Sequence, residues 1–180
     1  MEYTNHKEAP IREAYRGVLV FLPSCFVEFP TYLPRFVPIM INGLADISDE
    51  VRKISMRNLK ICIKQFGKTW PQNLVRPVMT MMFAEDSRVR ESAGTLMHIL
   101  IKELENDVLK SSPVYIDLDT KNRILASMFI CKYDPIEKNH IQAGWFWKAI
   151  IDNQLIILRG IIDTLMRLIF QIIQSDRVEL

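Results

Sequence analysis

A short signature recurs along this chain at a nearly fixed interval, and it restricts the fold more than any other feature. Ile11-Arg12, Val51-Arg52 and Val89-Arg90 each follow a polar or acidic turn and open an apolar-periodic segment, with offsets of 40 and 38 residues. Proline-bearing apolar segments precede the second and third, at Leu33-Pro34-Arg35-Phe36-Val37-Pro38 and Val75-Arg76-Pro77-Val78. The turns between are Ala45-Asp46-Ile47-Ser48-Asp49-Glu50 and Ala84-Glu85-Asp86-Ser87. A period of this length marks a repeated supersecondary unit. Here the unit reads as a helix A, a short turn and a helix B. Neither helix can bury its apolar stripe alone, so such units must stack.

Local signals agree with the period. Val51, Ile54, Leu59, Cys62 and Phe66 share one side of a helix predicted over about 48–66. Ser48 is suited to cap it, and Asp49 and Glu50 place negative charge in the first turn, where the helix dipole favours it. Gly67 suits a left-handed position past the end, and Pro71 can open the next helix. A further helix B is predicted over about 87–103. Residues 106–121 read as a loop inserted between units, in which Val114 to Leu118 is a weak candidate for a short strand. Asp134-Pro135 reads as a helix start with Asp as cap, and that helix carries Trp145 and Trp147. A last helix A spans about 155–174, and Ser175-Asp176-Arg177-Val178 then repeats the pattern of a turn. The expected organisation is a polar tail at 1–10, units at 11–105 with the first one partial, the loop at 106–121, and further units at 122–180 with the last one truncated. Both ends read as interruptions of a longer array.

Composition excludes several classes of function. Apolar residues are 49 % of the 180, charged residues 24 %, and net charge is +2, so a packed core is expected and a dedicated nucleic-acid-binding domain is disfavoured. Cys25, Cys62 and Cys131 are odd in number and widely spaced, which gives neither a disulfide framework nor zinc spacing; buried reduced thiols are expected. No secretory signal opens the chain. The apolar stretch Leu155 to Ile173 is interrupted by Arg159, Asp163 and Arg167, so it reads as a core helix and not a membrane span.

The unit resembles a HEAT repeat, which implies an all-α, ARM-like solenoid fragment (an alpha-alpha superhelix). A closer resemblance rests on ordered blocks: Ile11-Arg12-Glu13-Ala14-Tyr15, Phe21-Leu22-Pro23, Gly43-Leu44-Ala45-Asp46 with Val51-Arg52, Asn122-Arg123-Ile124-Leu125-Ala126 and Trp147-Lys148-Ala149-Ile150-Ile151. These are similar to blocks of the ribosome-associated translational activators of the general-control pathway. That resemblance implies a cytoplasmic parent chain that binds ribosomes and promotes activation of the kinase phosphorylating initiation factor two alpha. A nuclear-transport or chromosome-organising HEAT scaffold is the alternative.

The residues suggest binding and offer no catalytic constellation. Lys53, Arg57, Lys60 and Lys64 recur on one stripe opposite the apolar face of their helix, and Lys68 extends it. This stripe is a candidate for ribosomal RNA phosphate or an acidic protein surface, against the ordinary reading of a solvated helix face. Trp145, Phe146 and Trp147 cannot all face one way; at least one belongs in the core, and one is free to meet a partner. His6, His98 and His140 lack metal spacing, and His98 is expected at the surface. No Gly-rich phosphate loop occurs. No cofactor, metal, membrane or small-molecule substrate is implied.

Overall fold

The computed structural model describes residues 2–178, and among them every regular element is a helix. Two compact bodies divide the chain, Met1–Leu104 and Glu105–Leu180. The first holds α1 (Ala9–Leu19), the short α2 (Leu22–Cys25), α3 (Leu33–Leu44), α4 (Asp49–Phe66), α5 (Gln72–Met81) and α6 (Ser87–Glu103). The second holds α7 (Leu118–Cys131), α8 (Glu137–Ile150) and α9 (Gln154–Val178).

The contacts repeat as the period requires. In the first body α3 packs on α4 and α5 on α6, each a helix A on its own helix B. The B helices stack in the order α1, α4, α6, and the A helices pack as α3 on α5. In the second body α7 packs on its partner α8 and, A against A, on α9. The fold is a HEAT/ARM-like helical-repeat fragment. Each interface is lined at the predicted spacing: Leu33, Val37 and Met40 of α3 and Val51, Leu59 and Cys62 of α4 have no exposed surface. Full burial of a side chain of this size is worth about 1.5–3 kcal/mol. Pro38 and Pro77 sit inside α3 and α5, where each removes a backbone donor.

The signature arginine closes the turn in the same way three times. Arg12 Nη1 donates to the carbonyls of His6 and Lys7 at 2.7 and 3.0 Å. Arg52 Nη1 does so to Asp46 and Ile47 at 2.6 and 2.8 Å, and Arg90 Nη1 to Ala84 and Glu85 at 2.8 and 2.7 Å. Each arginine therefore satisfies carbonyls six and five residues behind it, which the turn leaves without helical partners. Where the arginine is missing, before α8, Asn139 Nδ2 donates instead to Asp134 at 3.4 Å.

Several expectations need correction. Gly67 is right-handed (φ −55°), because the backbone keeps turning and the Trp70 N–H donates to the Phe66 carbonyl at 2.8 Å. Its lack of a side chain serves close packing, since a Cβ there would lie 2.5 Å from the Ile63 carbonyl. The helix expected at Asp134-Pro135 begins later, at Glu137; Asp134 accepts from the Ile136 N–H at 2.9 Å and shapes the preceding turn. Residues 175–178, expected as a turn, continue α9 as helix. Only Cys62 is buried, whereas Cys25 is exposed and Cys131 half-buried; burial pushes the Cys62 thiol up to about 12. His98 is half-buried, and burial together with Lys102 lowers its pKa.

The segment expected as a loop at 106–121 forms no strand and ends early, because Asp117 caps α7 and residues 118–121 are already helix. A short 3₁₀ turn, Asp107–Leu109, is followed by bends. The buried Asp107 organises them, accepting from the N–H groups of Val114 and Tyr115, each at 2.8 Å, and of Ile116 at 3.4 Å. Lys110 Nζ lies 3.2 Å away. Burial works to raise this carboxyl, but the backbone donors and Lys110 outweigh it, and its pKa falls below the usual range. A depressed folded pKa contributes stability that is complete above the unfolded value and lost as pH falls through the folded one. Asp107→Asn is thus expected to lower unfolding free energy at neutral pH. The gap from the parent should shrink progressively below about pH 4. Urea titrations across pH 2–7 check this, and a pH-independent gap contradicts it.

The aromatic triplet divides as helix geometry demands. Trp147 is 2 % exposed and meets Phe129 edge-on at 5.4 Å between ring centroids, while Trp145 is 74 % exposed. Trp147→Ala should cost about 3–5 kcal/mol, and Trp145→Ala within about 0.5 kcal/mol of nothing. Chemical denaturation of the two variants checks the contrast.

Candidate functional site

The basic stripe is built by α4. Lys53, Arg57, Lys60 and Lys64, with Met56 and Ile61, line one open depression of about 620 Å³. Ser48 starts the helix that spaces them, its Oγ accepting from the Val51 N–H at 3.4 Å. Buried Val51, Leu59 and Cys62 hold the opposite side against the stack, which fixes the cations outward. Lys68 lies in the turn beyond Phe66 and does not line the depression.

The four cations are not equivalent. Lys53 Nζ is held by Asp49 at 2.7 Å and Glu50 at 2.8 Å, and both contacts raise its pKa. Its charge is largely matched at home. Among the described residues Arg57, Lys60 and Lys64 have no acidic partner within ion-pair distance. The free positive potential is therefore carried by these three, over a floor of Met56 and Ile61 that can take the methylene stems of the long side chains. Such a surface suits an extended anion, either a phosphate backbone or an acidic peptide.

A second polar cluster escaped the sequence reading. Asp46 accepts from Arg12 Nε and Nη2 at 2.8 and 2.6 Å, and from the Ser48 N–H at 2.9 Å. Arg16, 1 % exposed, brings Nη1 to 3.7 Å from the same carboxylate. Arg12 lowers the Asp46 pKa most, while burial pulls that of Arg16 down. Asn58 Nδ2 donates to the Arg16 carbonyl at 3.0 Å. Because Arg12 and Arg16 belong to α1 and Asp46 to the turn between α3 and α4, the cluster ties one unit to the next. The i, i+4 spacing of the arginines was the available signal, but nothing in the sequence says that Arg16 turns inward. This is structural chemistry: the carboxylate is occupied by Arg12, the Ser48 N–H and the nearby Arg16 guanidinium. Among the described residues no three His, Cys, Asp or Glu side chains gather as metal ligands, and no helix is long and apolar enough to cross a membrane.

No family model matches the chain. It is 27 % identical to the eIF-2-alpha kinase activator GCN1 of Dictyostelium discoideum over 98 % of its own length, and 26 % identical to the protein of that name from Saccharomyces cerevisiae over 89 %. The stalled ribosome sensor GCN1 of Mus musculus is 23 % identical over 92 %. The chain is similar, along nearly its whole length, to a short segment of these proteins. It spans only about 8 % of the Dictyostelium protein and 7 % of the other two. The chain carries the ordered blocks of the resemblance on stacked helical units, with Asp46 and Val51-Arg52 at the junction that holds two of them together.

Gly43 makes that junction possible. A Cβ at this position would lie 2.1 Å from Ser55 Oγ and 2.8 Å from Arg16 Nε. Gly43→Ala is expected to destabilise the protein by about 1–3 kcal/mol through overpacking. Adding Ser55→Ala, which removes the nearest clashing atom, should recover part of the loss. Thermal or urea unfolding of the single and double variants checks both, and a neutral Gly43→Ala contradicts the packing described.

Proposed function

We propose that this segment is a non-catalytic scaffold stretch of a cytoplasmic translational activator, one that binds ribosomes and promotes activation of the kinase acting on initiation factor two alpha in the amino-acid starvation response. The observation that carries the reading is the near full-length likeness to proteins named as activators of that kinase in two organisms. The architecture supports it: stacked helix pairs offer the extended surface through which repeat scaffolds bind. In this reading residues 11–105 and 122–180 are HEAT units, and 106–121 is inserted between them, its last residues opening α7. The face of α4 meets ribosomal RNA phosphate, with Arg57, Lys60 and Lys64 as the contacts and Lys53 and Lys68 at its margins. The kinase is engaged through the parent chain.

The triple variant Arg57→Glu, Lys60→Glu, Lys64→Glu leaves the apolar side of α4 untouched, so its helicity should be unchanged by circular dichroism. Three lost phosphate contacts should make the slope of log affinity against log salt shallower by about two to three units. Ribosome co-sedimentation across a salt series checks this. Identical pelleting of parent and variant at every salt concentration overturns the assignment of this face.

A further inference from the structure

The basic face of α4 has a counterpart on the helix stacked beside it. α4 packs between α1 and α6, with its helix A, α3, against another side, so the basic face is the one the stack leaves to solvent. α4 and α6 are in register. Side chains buried on α4 recur as buried side chains 38 residues on: Val51 and Val89, Leu59 and Met97, Cys62 and Leu100. Helices that bury the same positions also present the same positions. On α6, His98 stands where Lys60 does and Lys102 where Lys64 does, whereas Thr95 replaces Arg57 and Glu91 replaces Lys53. Toward α1, at the 40-residue offset, Gly17 replaces Arg57 and Val20 replaces Lys60. Positive charge therefore continues from α4 onto α6 and not onto α1, and it does so at the C-terminal turns.

Lys102 is exposed and, among the described residues, has no acidic partner within ion-pair distance. His98 is half-buried, and burial together with Lys102 lowers its pKa, so at neutral pH the charge on this part of α6 is that of Lys102. Lys60 and Lys64 lie one turn apart, about 6 Å, and packed helices lie about 8–10 Å apart. Three long ammonium side chains therefore share one end of the face. The other end carries no net attraction for an anion, since Lys53 is held by Asp49 and Glu50 and Glu91 follows on α6. None of the side chains lining the α4 depression is aromatic, and Met56 and Ile61 are half-buried. Protein partners are usually held by aromatic and apolar anchors at the centre of the contact. A face that offers charge without such anchors suits a phosphate backbone, which is bound through charge irrespective of base sequence.

We propose that the binding face is two helices wide: an RNA phosphate backbone crosses the stack from Lys60 and Lys64 of α4 to Lys102 of α6, at the C-terminal turns of both helices. Lys102 is then a phosphate contact of the same standing as Lys64, and the strand runs across the helices instead of along α4. The proposal rests on the reading of the α4 face as an anion site, to which it adds a second helix and a direction.

Fluorescence anisotropy of a labelled short oligouridylate, titrated with the 180-residue protein across a salt series, tests it. The variants are Lys64→Glu, Lys102→Glu, the two together, and Arg76→Glu on α5 as a control that changes net charge equally. All three side chains are exposed, so circular dichroism should show unchanged helicity; Lys102→Gln replaces Lys102→Glu if it does not. Lys64→Glu and Lys102→Glu should each flatten the slope of log affinity against log salt by about 0.7, and the double variant by about 1.4, the loss expected for one and two single-strand phosphate contacts. Arg76→Glu should leave the slope unchanged. A Lys102→Glu variant that behaves like Arg76→Glu while Lys64→Glu loses affinity overturns the second helix and leaves the α4 face standing. A parent that does not bind the oligomer, or whose binding none of the variants alters, overturns both. A parent that binds labelled polyglutamate more tightly than the RNA overturns phosphate as the ligand.

Discussion

An amphipathic helix pair has a buried side and an open side, and hydrophobic burial alone does not say how the next pair should sit on it. Here that choice is made by Asp46. It lies in the turn between α3 and α4 and takes a two-pronged contact from Arg12 of α1, with the Arg16 guanidinium close behind. Apolar stripes can slide along each other at little cost, whereas a forked guanidinium–carboxylate pair has one geometry. The pair sits 13 % and 10 % exposed, so it is only weakly screened. It fixes the register of α1 on α4, and Gly43 leaves room for Arg16 to reach it.

The other arginine contact serves a different purpose. Arg12, Arg52 and Arg90 each spend one Nη on the carbonyls of their own preceding turn. This sets the angle between helix A and helix B within a unit, while Asp46 sets the step between units. The step is not copied at the next junction. Ala84 stands where Asp46 does, six residues before the signature arginine, and offers no carboxylate; Asp86 holds the cap position of Ser48 and is engaged by Arg88 at 2.6 Å, which pulls its pKa down to about 2.

Helix existence and period were legible because they depend on spacing along the chain. The α4 and α6 boundaries follow from Ser48, Asp86 and the apolar stripe, and the cation stripe follows from the same rotation. Tertiary choices were not legible. Nothing local shows that Asp107 is buried and bonded to the backbone of residues 114–116, or that Gly67 stays right-handed, whereas the pairing of Lys53 with Asp49 and Glu50, at i,i+4 and i,i+3, was open to a spacing argument. The start of α8 was misplaced because Asp134 caps a turn rather than the helix. Each of these depends on which neighbour arrives first at a polar group, and periodicity carries no information about that.

If the α4 face binds an anion, its position depends on the α1–α4 register, so the electrostatic surface and the buried pair belong to one account. The most direct test of that account is a double-mutant cycle on Arg12→Ala and Asp46→Ala, read by urea unfolding. Strong coupling between the two positions, about 1.5–3 kcal/mol, is what a pair that sets the step between units should show. Additive losses, within about 0.5 kcal/mol, would mean that apolar packing alone sets the register and that the contact is incidental.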